Sequence, residues 1–165
     1  ETVEYTIGRA KETGWQIIYN PAPARKLDDK FLAMVDILTP NETELGILTD
    51  MPVASKEDAI LAGEKLLRMG VKKIVVTMGA EGSILITDGK VDVISAISVQ
   101  AVDSTAAGDC YNGAMAVGIA EGKTLRESLE FAKVAAGLSV TKRGAQTALP
   151  TILEVNEYIE KAGRA

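Results

Sequence analysis

The sequence contains no histidine. That removes histidine-dependent triads and histidine-built metal sites from consideration. A single cysteine, Cys110, excludes an intrachain disulfide and points to a reducing, cytoplasmic setting. Aromatic residues make up only 4 % of the chain, against 47 % apolar residues overall. A core must therefore be built from Ile, Val, Leu, Ala and Met, which suits a layered α/β protein better than a β-sandwich. No apolar run approaches the roughly 18 residues of a membrane span, and no signal or transit segment is visible. The net charge is −5, which argues against nucleic acid or an acidic membrane surface as the main partner. A local positive field that holds a nucleotide stays open. The first residue, Glu1, is not methionine and runs at once into a helical pattern, consistent with a cut inside a longer protein or with processing.

What is present reads as alternating elements. Thr2 to Glu12 has apolar or small residues at Val3, Ile7 and Ala10, a helical spacing, and Gly14 ends it. Trp15 to Tyr19 reads as a buried strand. Asn20-Pro21-Ala22-Pro23-Ala24-Arg25 cannot continue a sheet, because its prolines lack the backbone donor, so it is a strand-end loop. A short helix from Asp28 to Met34 and a strand from Val35 to Leu38 follow. Pro40 to Glu44 opens another helix. Ser55 caps the next, with Asp58 as a loose capping box, and Gly70 stops it after Met69. Lys73 to Met78 is a β-branched run of the parallel-strand kind. Gly79 to Gly82 is a turn. Ser83–Thr87 and Val91–Ser95 flank Asp88-Gly89, a hairpin signal. Helices over about Ala107–Glu121, Leu125–Thr141 and Ile152–Lys161 complete the chain. The order predicts an α/β fold: three layers, a mainly parallel Rossmann-like sheet with helices on both faces, and a β-hairpin C-terminal to the parallel strands. With no repeat or linker, residues 1–165 read as a single α/β domain.

The most informative stretch is Val102 to Asp109. Small residues lie where the chain turns into a helix. Ala106, Ala107 and Gly108 let backbone N–H groups approach an anion closely, and the helix start adds unpaired donors and a favourable dipole. Phosphoryl transfer needs such positioned positive potential. Asp109, in the first turn, is either the base that takes a proton from an attacking hydroxyl or an acid that merely caps the helix.

Asp103-Ser104-Thr105-Ala106-Ala107-Gly108-Asp109, followed by Asn112-Gly113-Ala114, resembles the C-terminal signature of the ribokinase-like sugar kinases, the PfkB family. The segments Asn20–Arg25, Thr39–Glu44, Thr77–Gly82 and Thr141–Gln146 resemble the same family, in its order and approximate spacing. The resemblance implies a ribokinase-like fold and ATP-dependent phosphorylation of ribose to ribose 5-phosphate, with Mg²⁺ and K⁺. It makes Asp109 the base and the backbone from Ala106 through Ala107 and Gly108 to Asp109 the anion hole. Asn41 and Glu44 match the motif that organises Mg²⁺ and the phosphates, Glu44 indirectly; a helix cap with a dipole partner is the plainer reading. Thr77, Gly79 and Gly82 match a nucleotide loop. Lys133 falls near the adenine position or is a solvated lysine. Asp103, Thr105, Ser139, Lys142 and Gly144 match a monovalent-cation site built mainly from carbonyl oxygens, and Ala148 stands where relatives often have a serine. Cys110 reads as a packed residue, and Arg25 as either catalytic or a surface charge.

Complete members of that family are nearly twice as long. The resemblance implies that the missing part is N-terminal and carries most sugar contacts and a β-sheet lid. Positioning of that kind is worth roughly 7–11 kcal/mol of barrier. The chain alone is therefore expected to be weakly active or inactive, and to self-associate through an exposed sheet edge. A nucleotide- or anion-binding half without catalysis and a purely structural fragment are the alternatives.

Overall fold

A computed structural model describes residues 1–163. The elements run in the order α1 (Thr2–Glu12), β1 (Ile18–Tyr19), α2 (Asp29–Leu32), β2 (Ile37–Leu38), α3 (Glu42–Thr49), α4 (Lys56–Arg68), β3 (Ile74–Thr77), β4 (Ser83–Thr87), β5 (Lys90–Ile94), α5 (Ala107–Ala120), α6 (Leu125–Ser139) and α7 (Ile152–Ala162). Short 3-10 turns lie at Gly79–Glu81 and Gln146–Ala148.

Helices α1, α4 and α5 end in the same way. The N–H of Trp15 donates to Ala10, that of Val71 to Leu66 and that of Lys123 to Gly118, while the glycine before each donates one turn back. Gly14, Gly70 and Gly122 all have positive φ, as this Schellman arrangement requires. It explains one departure from expectation. Trp15 does not enter a strand: its N–H is used to cap α1, and its side chain is 72 % exposed. Strand β1 begins only at Ile18, after the Asp36 carboxylate has accepted the Ile17 N–H at 2.9 Å. The Ser55 cap also differs in detail. Ser55 Oγ accepts from Asp58 N, but the Asp58 carboxylate reaches back to Ala54 N at 3.1 Å.

The five strands form one mixed sheet in the order β1-β2-β3-β4-β5. β1, β2 and β3 are parallel, with Ile18 opposite Ile37, Tyr19 opposite Leu38 and Leu38 opposite Ile74. β4 runs antiparallel to β3, from Ile74 opposite Ile86 to Thr77 opposite Ser83, and β5 completes the hairpin. Parallel strands need cover on both faces. Accordingly, Ile74, Val76, Ile84 and Ile86 are buried on one side, and Ile37, Val75 and Leu85 on the other.

Packing groups the residues into two compact units, Glu1–Gly79 with Ser83–Val93, and Ala80–Gly82 with Ile94–Ala165. In the first, Leu45, Ala59, Ala62 and Leu66 from α3 and α4 join Leu38, Ile74 and Ile84 in one core. Each large aliphatic side chain buried there contributes about 1.5–3 kcal/mol. In the second, Cys110, Val134, Ala135 and Val155 tie α5, α6 and α7 together. Among the described residues no helix is long and apolar enough to cross a membrane.

Candidate active site

In the first unit, three of the sequence-predicted residues come together at the C-terminal end of the parallel strands. Asn41 pairs with Thr77 in an isolated parallel bridge, and Thr77 N donates to Pro40 O at 3.0 Å. Asn41 Oδ1 accepts from Glu44 N, and Glu44 Oε2 accepts from Asn41 N, each at 2.8 Å. This is a complete capping box at the start of α3. The two side chains expected at a magnesium site thus hold each other in place. Tyr19 at the end of β1 lies near them; burial first, and then the Glu44 carboxylate, push its phenol up. Arg25 is exposed on the loop that follows β1. Gly79 has a φ of 52° with nothing within 4 Å of a would-be Cβ.

In the second unit, Gly82 is closely confined, whereas the start of α5 is open. The N-cap of α5 is Ala106, in the left-handed region at φ 61° and ψ 16°, with no side-chain cap. An alanine there costs about 1–2 kcal/mol, and such strain is most often found at functional turns. Ala107 N donates to Ser104 O, and Cys110 N to Ala106 O. Between them, the N–H groups of Gly108 and Asp109 find no acceptor among the described residues. A Cβ on Gly108 would meet nothing within 4 Å. The Asp109 side chain is exposed and makes no capping bond, so as a cap it holds nothing.

Behind this turn, Asp103 joins segments far apart in sequence. Its Oδ1 accepts from Thr105 Oγ1 at 2.6 Å and Thr105 N at 3.0 Å, and its Oδ2 from Gly144 N at 3.0 Å. Those bonds, the Thr105 hydroxyl first, hold its carboxyl at about 2. The Val140 carbonyl receives the N–H groups of both Val102 and Asp103, a contact that sequence spacing alone did not suggest. These hydrogen bonds bring Asp103, Thr105 and Gly144 together. Lys142 N donates to Ser139 O at 3.3 Å, a bond that links these two to each other and not to Asp103, Thr105 or Gly144. The buried Ser139 hydroxyl turns to Ala136 O, and the Lys142 ammonium pairs with Glu154 at 2.7 Å. Ala148 is buried. Lys133 pairs with Glu130 one turn earlier on α6. Burial pushes the Cys110 thiol up, and the Ser139 hydroxyl beside it only partly offsets this, consistent with a packed, unreactive cysteine.

Sequence reasoning gave Asn112 no role. Its Nδ2 donates to Gly108 O at 2.9 Å, while its Oδ1 is buried without a partner. In the sequence Asn112 stands out only as the first residue of the Asn112-Gly113-Ala114 segment, four residues after Gly108.

Asp103 and Glu154 both sit at about 2 in the fold, below their ordinary values of 3.8 and 4.5. For Glu154 the Lys142 ammonium is the first cause. Depressed carboxyls contribute stability that is present above their unfolded values and lost as pH falls through the folded ones. Acid unfolding followed by circular dichroism should therefore steepen between about pH 4.5 and 2, and the double variant Asp103→Asn, Glu154→Gln should flatten that window. An unchanged profile would mean that these bonds do not persist in solution.

Comparison with known proteins identifies the family and the fold. The model of the pfkB family of carbohydrate kinases matches residues 1–152. The ribokinase of Haemophilus influenzae is 41 % identical over 160 residues, covering 97 % of this chain and 52 % of the relative. A deoxyribokinase of Salmonella typhi is 37 % identical, covering 96 % and 52 %. The structure of Arabidopsis thaliana ribokinase complexed with ribose and ATP superposes with a TM-score of 0.91 at 35 % identity, over 96 % of this chain and 52 % of that one. The chain spans about half the length of the relatives it matches. A family match over nearly the whole chain, with the signature turn at the start of α5 intact, places this protein in the pfkB family of carbohydrate kinases.

Proposed function

We propose that this chain is the nucleotide-binding, proton-accepting half of a ribose kinase that converts ATP and ribose into ADP and ribose 5-phosphate. One observation carries the reading. At the start of α5, two unpartnered N–H groups, open space over Gly108 and an unengaged Asp109 carboxylate occur within one turn. The N–H groups of Gly108 and Asp109 suit a γ-phosphate, because helix-start donors bind anions without reorganising. The primary hydroxyl oxygen of ribose attacks the γ-phosphorus, the bond to the β,γ-bridging oxygen breaks, and the hydroxyl proton passes to Asp109. Magnesium, when bound, neutralises phosphate charge. Asn41 and Glu44 are the residues proposed to organise it, and their mutual hydrogen bonds leave Glu44 Oε1 and Asn41 Nδ2 for waters and phosphate. Potassium is assigned to the loops joined by Asp103, whose carboxyl is held ionised there; the resemblance to the family puts its ligands at the carbonyls of Thr105, Ser139, Lys142 and Gly144, and oxygen donors suit a weakly hydrated cation. Thr77, Gly79 and Gly82 are assigned to the nucleotide loop and Lys133 to the neighbourhood of adenine. The sheet edge at β1 is the proposed route of self-association.

Because the chain spans about half of its relatives, a nucleotide-binding half without turnover of its own is the second reading. Isothermal titration with Mg·ATP in potassium buffer tests the nucleotide site common to both. The wild type should bind. Gly108→Val should keep its fold, because the added side chain meets open space, and should lose roughly 10–100-fold in affinity by crowding donors to a charged group. Folded wild-type protein that takes up no Mg·ATP would sink the nucleotide reading.

A further inference from the structure

Asparagine is a weak helix former, and Asn112 lies inside α5. Its Oδ1 is buried and receives no hydrogen bond. Leaving such an oxygen unpaired is unfavourable, and a leucine of similar size would avoid the cost. Packing therefore does not account for this residue. Its one engaged side-chain atom, Nδ2, donates to the Gly108 carbonyl at 2.9 Å.

That carbonyl is half of a planar unit whose other half is the Asp109 N–H, and in a trans peptide the two point in opposite directions. Asp109 N–H is one of the two donors left open at the start of the helix. A donor that fixes the carbonyl also fixes the direction of the N–H. By polarising the same peptide it makes the N–H a stronger donor to an anion on the far side. We infer that Asn112 is a positioning residue for the anion cradle, acting through the Gly108–Asp109 peptide. The inference rests on the nucleotide reading given above.

The full chain is titrated with Mg·ATP, and separately with inorganic phosphate, as wild type, Asn112→Leu and Asn112→Ser. Serine can donate to the carbonyl four residues back, as Ser128 Oγ does to Thr124 O at 2.9 Å. Asn112→Leu should keep or raise the thermal midpoint, because the unpaired oxygen is gone, and yet bind about threefold to tenfold more weakly. Asn112→Ser should bind like the wild type. The Asp109 amide nitrogen resonance should move in Asn112→Leu and return towards its original position in Asn112→Ser. A merely structural asparagine predicts the reverse: a lower midpoint in both variants, with affinity falling only as the folded fraction falls. Equal binding by wild type and Asn112→Leu overturns the inference and leaves the nucleotide site standing. Wild-type protein that binds neither Mg·ATP nor phosphate overturns both.

Discussion

Asp109→Asn should lower sugar phosphorylation by roughly 10²–10⁴-fold and leave Mg·ATP binding intact. The measurement needs a complete kinase, obtained by joining this chain to the half of the Haemophilus influenzae ribokinase that it does not cover. Asparagine has the shape of aspartate but cannot take the hydroxyl proton. It also removes one negative charge beside the proposed phosphate position, so binding should be equal or slightly tighter. The geometry separates this role from helix capping. Asp109 sits in the first turn of α5 with no capping hydrogen bond, and the cap position is held by Ala106. Substitution should therefore cost little stability, beyond the few tenths to about 1 kcal/mol of a lost interaction with the helix dipole. Turnover retained within about tenfold would return Asp109 to the status of a helix-start acid, and the proton would need another acceptor.

Gly82→Ala should have the largest effect on stability. Gly82 has a φ of 97°, and a Cβ there would lie 2.1 Å from Ile94 O and 2.6 Å from Ala96 N. Both neighbours are backbone, so no side chain can swing away. Left-handed strain and forced backbone displacement together cost about 3 kcal/mol or more. For a chain of this size that lowers the thermal midpoint by roughly 6–12 °C. Gly79→Ala is the control: φ is 52° and nothing lies within 4 Å, so only the left-handed cost of about 1–2 kcal/mol applies. Equal midpoints for the two variants would show that the Ile94–Ala96 backbone yields freely, and that crowding is not why position 82 is glycine.

Local chemistry was legible in the sequence wherever the deciding partners lie within a few residues. Gly14, Gly70 and Gly122 end helices because the Schellman turn closes over six residues. Asp88-Gly89 turns β4 into β5 for the same kind of reason. The open start of α5 was readable because its donors, its small residues and Asp109 are neighbours in the chain. For Asn41 and Glu44, the fold forms the helix cap with one oxygen of each side chain, while their magnesium role belongs to the proposed function.

What lay beyond the sequence depended on contacts across long separations. Trp15 has the look of a strand residue, but its N–H is committed to α1 and its ring to solvent. Asp103 is held at about 2 partly by the N–H of Gly144, 41 positions away. Gly82 is constrained by the backbone of Ile94 and Ala96, and the unpaired oxygen of Asn112 exists only once α5 is packed. The sequence by itself determined where α1, α4 and α5 end, that Lys73–Met78 holds a strand, and that small residues and Asp109 meet at the start of α5, because those follow from hydrogen bonds and side-chain periods within a turn or two. Only the tertiary structure decided which carboxyl is locked, which glycine is sterically required and which asparagine oxygen is buried unpaired, because burial and crowding are properties of segments that meet only after folding.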